Sequence, residues 1–423
     1  MVQFSRNAGA RALNGLARDD FPALQDYSTA IYFDSSATTQ KPLAVIKAVD
    51  AYHSRAVNVG RGDYAWAAEV FQQVQQVRAE VADFIHAHAP CEVVFTAGAT
   101  DSLNKICLAW GLSNLKDADE ILICPDDHKS CTLPWLNLRN ILQQFGIRVK
   151  IIFYGVDETG RIDLYDLRSK LTEKTRVVAL THINNVYGSL NDIAEIRALL
   201  PERAIVSLDA SQSIGHVHVD VQQLGVDFLS FSGHKMFATT GIGVLWVHQR
   251  LHSQLQPAYV GGGSGSGTID LTTGNFAAEN MPDLLEAGTL NVAGIVSLGA
   301  ALTFITSLGI ATIHHYVSDL TAYLVSGLQA CEHVAFVPSM RPLDPLALSG
   351  IVSLRFQGLS STEVGSYLDQ HSIFVRTGNH CMSTSGSAVE DTLRVSLHLY
   401  NNALEVDRFL EVLNTFFTGE KKG

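Results

Sequence analysis

Short apolar runs alternate with helical segments between residues 92 and 250, and this alternation restricts the fold more than any other feature of the sequence. The runs that read as strands are Glu92–Phe95, Glu120–Cys124, Arg148–Phe153, Arg176–Thr181, Ala204–Leu208, Val226–Phe231 and Gly243–Val247. Strands that alternate with helices form mainly parallel sheets with helices on both faces. The sequence therefore predicts an α/β fold.

Polar residues follow several of these runs, and ligands of such sheets bind where the strands end. After the first run, the small residues of 96–102, which include Thr100, lead directly into a helix. The backbone N–H groups and the helix dipole of such a turn form a cradle for phosphate, although many similar turns bind nothing. His128 follows the second run, where an imidazole either stacks on a planar cofactor or caps a helix.

Lys235 lies between two apolar runs, at the end of Ser232-Gly233-His234-Lys235. A buried amine loses proton affinity and becomes a nucleophile that forms Schiff bases. Taken alone, Lys235 is equally well a lysine that merely ends a strand, but Asp209 closes the strand before it. Pyridoxal phosphate needs this pair, because a lysine holds its aldehyde while a carboxylate keeps its pyridine nitrogen protonated. The sequence therefore predicts pyridoxal 5'-phosphate as cofactor.

Composition excludes several other classes of protein. A length of 423 residues predicts two domains, and a net charge of −12 argues against a nucleic-acid partner. The cysteines form no close metal-ligand pair, so we expect no metal and a reducing, cytoplasmic compartment: Cys91, Cys107, Cys124, Cys131, Cys331 and Cys381. The glycine run at 261–267 lacks the strand, helix and acidic residue of a dinucleotide site.

Two segments have more than one interpretation. Residues 295–313 carry no charge and are long enough for a membrane span, but serines and threonines interrupt them and Gly309 resembles a helix stop. We therefore predict a buried helix and no membrane. The N-terminus carries Arg6, Arg11 and Arg18, which is compatible with a transit peptide, but an ordinary helix is the preferred interpretation because no apolar signal core is present.

From about Asp20 onward, the chain resembles the class V aminotransferase group of fold-type I pyridoxal-phosphate enzymes. Within that group it is similar to the group II (SUF-type) cysteine desulfurases and the selenocysteine lyases. The matching stretches are Tyr32–Ser35, Thr100–Asn104, His128 with Pro134-Trp135, His182 with Asn185–Gly188, Asp209–Gln212, Ser232–Lys235, Glu286–Thr289, Arg376–Cys381 and Arg394–Asn401. The resemblance implies a large cofactor-binding domain (31–290) with a mainly parallel seven-stranded sheet. It also implies a smaller C-terminal α+β domain (291–423) and an N-terminal segment (1–30) that packs with it.

The resemblance also implies a role for individual residues. Lys235 would form the Schiff base, His128 would stack on the ring, and Arg394 would bind the substrate carboxylate. The thiolate of Cys381 would attack the substrate sulfur, and Arg376 or His380 nearby could favour that thiolate. The remaining implied contacts are Asp209 with the pyridinium, Gln212 with the ring hydroxyl, Thr100, Asp101, Ser232 and His234 around the phosphate, Asn185 and Arg376 beside the substrate, and Thr289 across a homodimer interface.

The implied activity is desulfuration of L-cysteine to L-alanine, with a persulfide on the enzyme cysteine and a sulfur-acceptor protein, as in iron–sulfur cluster assembly. The chain departs from the family pattern at Asp63-Tyr64, at Asn379 and at 382–386. These departures leave open a selenocysteine lyase or a C–S lyase acting on a larger cysteine conjugate. A degenerate scaffold that only binds partners is disfavoured, because Lys235 and Asp209 are both present.

Overall fold

A computed structural model describes residues 15–59, 62–266, 269–339, 349–382 and 391–419. Within them the helices are α1 (Pro22–Asp26), α2 (Leu43–His53), α3 (Ala65–Phe84), α4 (Ala99–Ile106), α5 (Leu112–Asn114), α6 (Lys129–Gln144), α7 (Leu164–Lys170), α8 (Ile193–Leu199), α9 (Val221–Leu224), α10 (Val292–Leu308), α11 (Ile310–Leu328), α12 (Ser361–Gln370) and α13 (Ala403–Thr418). The strands are β1 (Ile31–Tyr32), β2 (Val93–Thr96), β3 (Glu120–Ile123), β4 (Lys150–Phe153), β5 (Thr175–Thr181), β6 (Ile205–Asp209), β7 (Phe228–Ser232), β8 (Gly243–Val247), β9 (Gly265–Ser266), β10 (Ala277–Ala278), β11 (Val334–Val337), β12 (Ile351–Phe356), β13 (Ile373–Phe374), β14 (Arg376–Gly378) and β15 (Thr392–Ser396).

The central sheet has seven strands in the order β2-β8-β7-β6-β5-β3-β4. Among these described strands, β8 runs antiparallel to both neighbours and the rest are parallel. The predicted α/β fold with a mainly parallel seven-stranded sheet is confirmed. Each apolar run that the sequence marked as a strand lies in this sheet.

Helices cover both faces of the sheet, as its strand sequences require. Successive residues of a strand point to opposite faces, and in β5 Val177 and Ala179 pack with α4 and α6. Val178 and Leu180 pack on the other side, in the core that includes α3 and α8. A strand buried on both faces is apolar throughout, which explains why these runs show no alternation of polar residues.

A second, four-stranded antiparallel sheet follows later in the chain, in the order β11-β12-β15-β14. The register of β14 and β15 places Arg376 directly opposite Arg394. Residues 373–378 do not form one continuous strand. The segment is divided, because β13 pairs with β1 in parallel while β14 joins β15.

Helix α10 is buried on nearly all sides, and α11 follows it after a sharp bend at Gly309, whose φ is +81°. Within the described residues no single helix meets the length and apolarity needed to cross a bilayer; α10 and α11 together do, but they are bent by 75°. The predicted buried helix that stops at Gly309 is therefore confirmed.

The N-terminal part of the described chain lies against the segment that follows β15. The Leu16 N–H donates to the Leu399 carbonyl (2.7 Å), and Arg18 forms an ion pair with Glu405 (2.7 Å). Helix α10 packs against α2 and α3. The predicted boundaries at residues 30 and 290 stay predictions, and the predicted helix before residue 15 lies outside the described residues.

Candidate active site

A cavity of about 180 Å³ lies where the parallel strands of the central sheet end. It is lined from the large sheet by residues that follow β2, β3, β5, β6 and β7, because the carboxyl ends of parallel strands meet at one edge. The second sheet closes the opposite side. The sequence-predicted residues in its wall are Thr100, His128, Asn185, Asp209, Gln212, Ser232, His234, Lys235, Arg376, Cys381 and Arg394.

Lys235 lies in the short turn after β7, and its half-buried side chain lines the cavity. Burial lowers the pKa of its amine to about 8, an effect that Asp209 opposes and Arg394 reinforces. Asp209 ends β6, and one of its carboxylate oxygens accepts the Ser211 N–H at 2.9 Å. A substantial fraction of Lys235 is therefore neutral and nucleophilic at pH 7–8.

His128 caps a helix, which is one of the two possibilities that its sequence context raised, and stacking on a cofactor stays a prediction. Its Nδ1 accepts the Ser130 N–H at 3.1 Å and caps α6, while its ring lines the cavity. Burial, with a smaller contribution from Lys235, lowers the pKa of His128 to about 4, so the ring is neutral at pH 7. Because Nδ1 accepts a hydrogen bond, the proton of the neutral ring is on Nε2.

The turn between β2 and α4, where the sequence predicts a phosphate cradle, forms one wall of the cavity. Ser232 Oγ accepts the Ala99 N–H (2.8 Å), and Thr100 Oγ1 lies 2.7 Å from Ser130 Oγ. Gly98 has a φ of +151°, and a side chain on neighbouring Gly243 would collide with its backbone. These contacts hold the helix N-terminus open toward the cavity.

Two sequence-predicted cofactor residues do not line the cavity of this chain. The carboxylate of Asp101 points away from it and binds the Ala97 N–H (3.0 Å), Lys105 (2.9 Å) and the Tyr259 hydroxyl (3.0 Å). Asp101 therefore braces the turn without facing a ligand. Thr289 is exposed at the surface, just after Glu286.

Arg394 is almost completely buried and is held in place by two acceptors. It donates to the Asn185 carbonyl (2.9 Å) and forms an ion pair with Asp34 (3.1 Å). Arg376 is its neighbour across the strand pair, so two guanidinium groups face the cavity. Asp34 has no predicted role, although it lies in one of the matching stretches. Its ion pair joins residues that are 360 positions apart, so no local sequence pattern indicates it.

Cys381 lies in a turn after β14 that is bonded to the N-terminus of α6. Its carbonyl accepts the Lys129 N–H (3.0 Å), and Arg376 donates to its Sγ at 3.7 Å. Both Cys381 and the preceding His380 adopt left-handed backbone conformations, with φ of 64° and 51°. Such strain concentrates at functional sites. Residues 383–390 lie outside the described part of the chain.

His380 does not favour the Cys381 thiolate, contrary to one of two expectations from the sequence. Its Nε2 bonds the Thr392 hydroxyl at 2.8 Å, and burial together with Arg394 lowers its pKa to about 3. A neutral imidazole offers no charge to a thiolate, whereas the Arg376 guanidinium donates to Cys381 Sγ. Asp63 and Tyr64, which depart from the family pattern, are exposed and do not line this cavity.

The sequence model of the family described as aminotransferase class-V matches residues 31–409 of this chain. The chain therefore belongs to the class-V aminotransferase family, and the expectation of a fold-type I architecture is confirmed.

Within the family, the similar proteins are cysteine desulfurases. The chain is 36% identical over 402 residues to a cysteine desulfurase of Cronobacter sakazakii (strain ATCC BAA-894), covering 93% of this chain and 95% of that protein. It matches the cysteine desulfurase of Thermococcus onnurineus NA1 with a TM-score of 0.87 and 32% identity, over 95% of this chain and 98% of that one. The Escherichia coli cysteine desulfurase CsdA matches with a TM-score of 0.85 and 29% identity, over 96% and 98%.

The polar groups of the cavity fit pyridoxal phosphate. Among the described residues, buried His234 Nδ1, Ser211 Oγ and Arg394 Nε have no hydrogen-bond partner. Leaving a buried polar atom unpaired costs about 1–3 kcal/mol, so this concentration indicates a bound polar molecule. Asp209 suits a pyridine N–H, Lys235 suits an aldehyde, and the turn before α4 suits a phosphate.

Proposed function

We propose that the protein is a group II cysteine desulfurase that uses pyridoxal phosphate, converts L-cysteine to L-alanine and transfers sulfur to Cys381 as a persulfide. The observation that carries the proposal is the position of Cys381, whose thiol lines the same cavity as Lys235 and Arg394. Its relatives, curated as cysteine desulfurases, cover nearly the whole chain. An acceptor protein would then take the sulfur from Cys381.

The residues of the cavity divide the reaction between them. Bound pyridoxal phosphate supplies an electron sink for the electron pair left when the substrate Cα loses its proton. Arg394 binds the substrate carboxylate, for which a planar guanidinium is well shaped. The Lys235 amine, with a pKa lowered to about 8, takes the Cα proton. Asp209 keeps the proton on the pyridine nitrogen.

The sulfur step needs a nucleophile, and Cys381 supplies it. The Cys381 thiolate attacks the substrate sulfur, so an S–S bond forms while the bond between that sulfur and the substrate Cβ breaks. The electron pair of the broken bond stays with the carbon skeleton, which is protonated to alanine. Arg376, 3.7 Å from Cys381 Sγ, stabilises the thiolate before attack.

The decisive experiment compares wild type with Cys381→Ser on L-cysteine. Wild type should form alanine and, without reductant, gain about 32 Da, one sulfur atom, on the Cys381 peptide, as covalent catalysis requires. Cys381→Ser should still bind L-cysteine, because Lys235, Asp209 and Arg394 are intact, but release almost no alanine. Cys331→Ser is the matched control, since Cys331 is a free thiol outside the cavity.

Other outcomes identify the competing activities. If Cys381→Ser turns over at the wild-type rate, desulfuration through this thiol is wrong. Pyruvate and ammonia as products would then indicate a C–S lyase. Turnover of L-selenocysteine but not of L-cysteine would indicate a selenocysteine lyase.

We also propose a homodimer with two composite sites. Thr289 is exposed and does not line the cavity of its own chain, although the family resemblance assigns it to the phosphate. Several large apolar side chains are exposed and would be covered by a second copy: Tyr64, Trp66, Phe71, Ile269, Leu271 and Phe276. Contact with a second copy would remove these apolar side chains from water.

A mixing experiment tests the composite site. Lys235→Ala and Thr289→Ala are each expected to have little activity. If Thr289 acts across the interface, their heterodimer contains one site with Lys235 from one chain and Thr289 from the other, and activity returns. If Thr289 acts within its own chain, no wild-type site forms and mixing restores nothing. Sedimentation showing a fully active monomer would also contradict the dimer.

The pathway and compartment are proposals too. The six cysteines are free, which supports a reducing compartment such as the cytoplasm. There the persulfide sulfur would serve iron–sulfur cluster assembly. Pull-down of the wild-type persulfide form against Cys381→Ser tests for a thiol-containing acceptor.

A further inference from the structure

One carbonyl beside Lys235 receives an unusual number of hydrogen-bond donors. The His234 carbonyl, which belongs to the His234–Lys235 peptide, is approached by the loop of residues 38–41, here called the Thr38–Lys41 loop. The donors are Thr39 N–H (3.0 Å), Thr38 Oγ1 (3.1 Å), Thr39 Oγ1 (3.1 Å) and Lys41 Nζ (3.1 Å). A carbonyl oxygen has two lone pairs, so these donors surround and fix it.

The same loop also holds the chain on the other side of Lys235. The Phe237 N–H donates to Thr39 Oγ1 at 2.9 Å. Phe237 is fully buried and has a φ of +74°, a conformation that a bulky residue rarely adopts. The Thr38–Lys41 loop therefore contacts the chain on both sides of Lys235 and stabilises the strained turn there.

Lys41 is the charged residue of this loop, and no ion pair accounts for its position. Its ammonium donates to the Thr39 carbonyl (2.6 Å) as well as to the His234 carbonyl. Among the described residues no carboxylate forms an ion pair with Lys41, and burial lowers the pKa of its amine to about 8. A half-buried ammonium without a counter-ion costs free energy, and its bonds are directed at the backbone of the residue before Lys235.

We propose that Lys41 is a positioning residue for Lys235. Its ammonium fixes the His234–Lys235 peptide so that the Lys235 amine is aimed at the cofactor aldehyde. Lys41 is outside the cavity wall and acts only through Lys235. The inference rests on the proposed use of Lys235 for the aldehyde, and not on the fate of sulfur at Cys381.

The test separates covalent capture from binding. Full-length protein freed of cofactor is mixed with pyridoxal phosphate, and capture by Lys235 is followed by visible absorbance and by borohydride labelling of its peptide. The same protein is titrated with 4'-deoxypyridoxine phosphate, which has the ring and the phosphate but no aldehyde. Lys41→Met should slow capture about tenfold, the loss expected for a charge-assisted hydrogen bond. It should leave the Kd of the deoxy analogue within about twofold, because the phosphate and ring contacts are intact.

Three further variants make the result unambiguous. Lys47→Met makes the same substitution at an exposed lysine of α2 and should change neither measurement. Lys41→Arg keeps a cationic donor and should recover part of the capture rate. If Lys41→Met captures pyridoxal phosphate at the wild-type rate, the proposal is wrong. Equal losses in capture and in analogue binding, for Lys41→Met and for the milder Lys41→Gln, would show a merely structural role and also overturn it.

Failure of this proposal and failure of the proposed desulfurase activity are distinguishable. Capture and analogue binding need no cysteine substrate, so they are unaffected by the identity of the reaction. A label on a lysine other than Lys235 would instead remove the assignment on which both rest.

Discussion

Glu286→Gln tests how the structure holds the loop that ends in Thr289. Glu286 and Arg78 form a buried ion pair whose two bonds measure 2.7 and 2.9 Å, and each side chain is at most 3% exposed. Glu286 also accepts the Phe95 N–H at 2.6 Å, and Arg78 donates to the Val93 carbonyl at 2.7 Å. One pair therefore ties the loop to α3 and β2.

The expected effect follows from burial. Glutamine has nearly the shape of glutamate and still accepts the Phe95 N–H, but it leaves the Arg78 charge buried and uncompensated. Breaking a buried pair in this way costs about 3–5 kcal/mol, whereas replacing both partners is far cheaper. Burial raises the pKa of Glu286 and outweighs the opposing effect of Arg78. Arg78→Met with Glu286→Gln should therefore recover most of the lost stability.

The assay is urea unfolding of the cofactor-free protein, combined with hydrogen exchange of the Phe95 amide as a local report. Glu411→Gln is the matched control, because its pair with Arg408 (3.1 Å) is about half exposed and should be worth at most about 1 kcal/mol. If Glu286→Gln costs no more than this control, or if the double variant is less stable than Glu286→Gln, the reasoning about an uncompensated buried charge is wrong.

Three further outcomes are expected. Asp209→Asn should keep the fold but lower kcat strongly, since a neutral pyridine is a poorer electron sink; near-normal turnover removes Asp209 from the mechanism. Asp34→Asn weakens the partner of Arg394, so KM for L-cysteine should rise several-fold while kcat changes little; an unchanged KM contradicts this. Burial lowers the pKa of His182 and His216 from 6.5 to about 4. Between pH 4 and pH 6.5 the unfolded chain binds more protons than the folded chain, so the protein loses stability as the pH falls. Relative to pH above about 6.5, the loss is about 2 kcal/mol per histidine at pH 5. Unfolding titrations across pH 4–7 check this, and a flat profile refutes it.

The sequence by itself was sufficient for the main sheet and for placing Asp209 and Lys235 together in the cavity. Strands buried on both faces must be apolar throughout, so β5 and β6 are visible as continuous runs. Parallel strands end at one edge, so the residues that follow them, such as Asp209 and Lys235, had to meet. The resemblance added roles for Cys381 and Arg394, which no local pattern assigns.

The sequence did not predict the direction in which some side chains point or the partners that they bond. Asp101 has the expected position beside Thr100, yet its carboxylate turns toward Ala97 and Lys105. His380 is adjacent to Cys381, yet its ring is neutral and bonded to Thr392. A sequence gives the residue type and position, but the side-chain rotamer depends on the surrounding packing.

Only the tertiary structure brought together partners that are far apart along the chain. Lys41 meets the His234 carbonyl across 193 residues, Arg78 meets Glu286 across 208, and Asp34 meets Arg394 across 360. None of these pairs has a local signature, because each depends on how two sheets and their loops pack. The sequence determines which chemically active side chains are present. The tertiary packing determines which other residues hold those side chains in position.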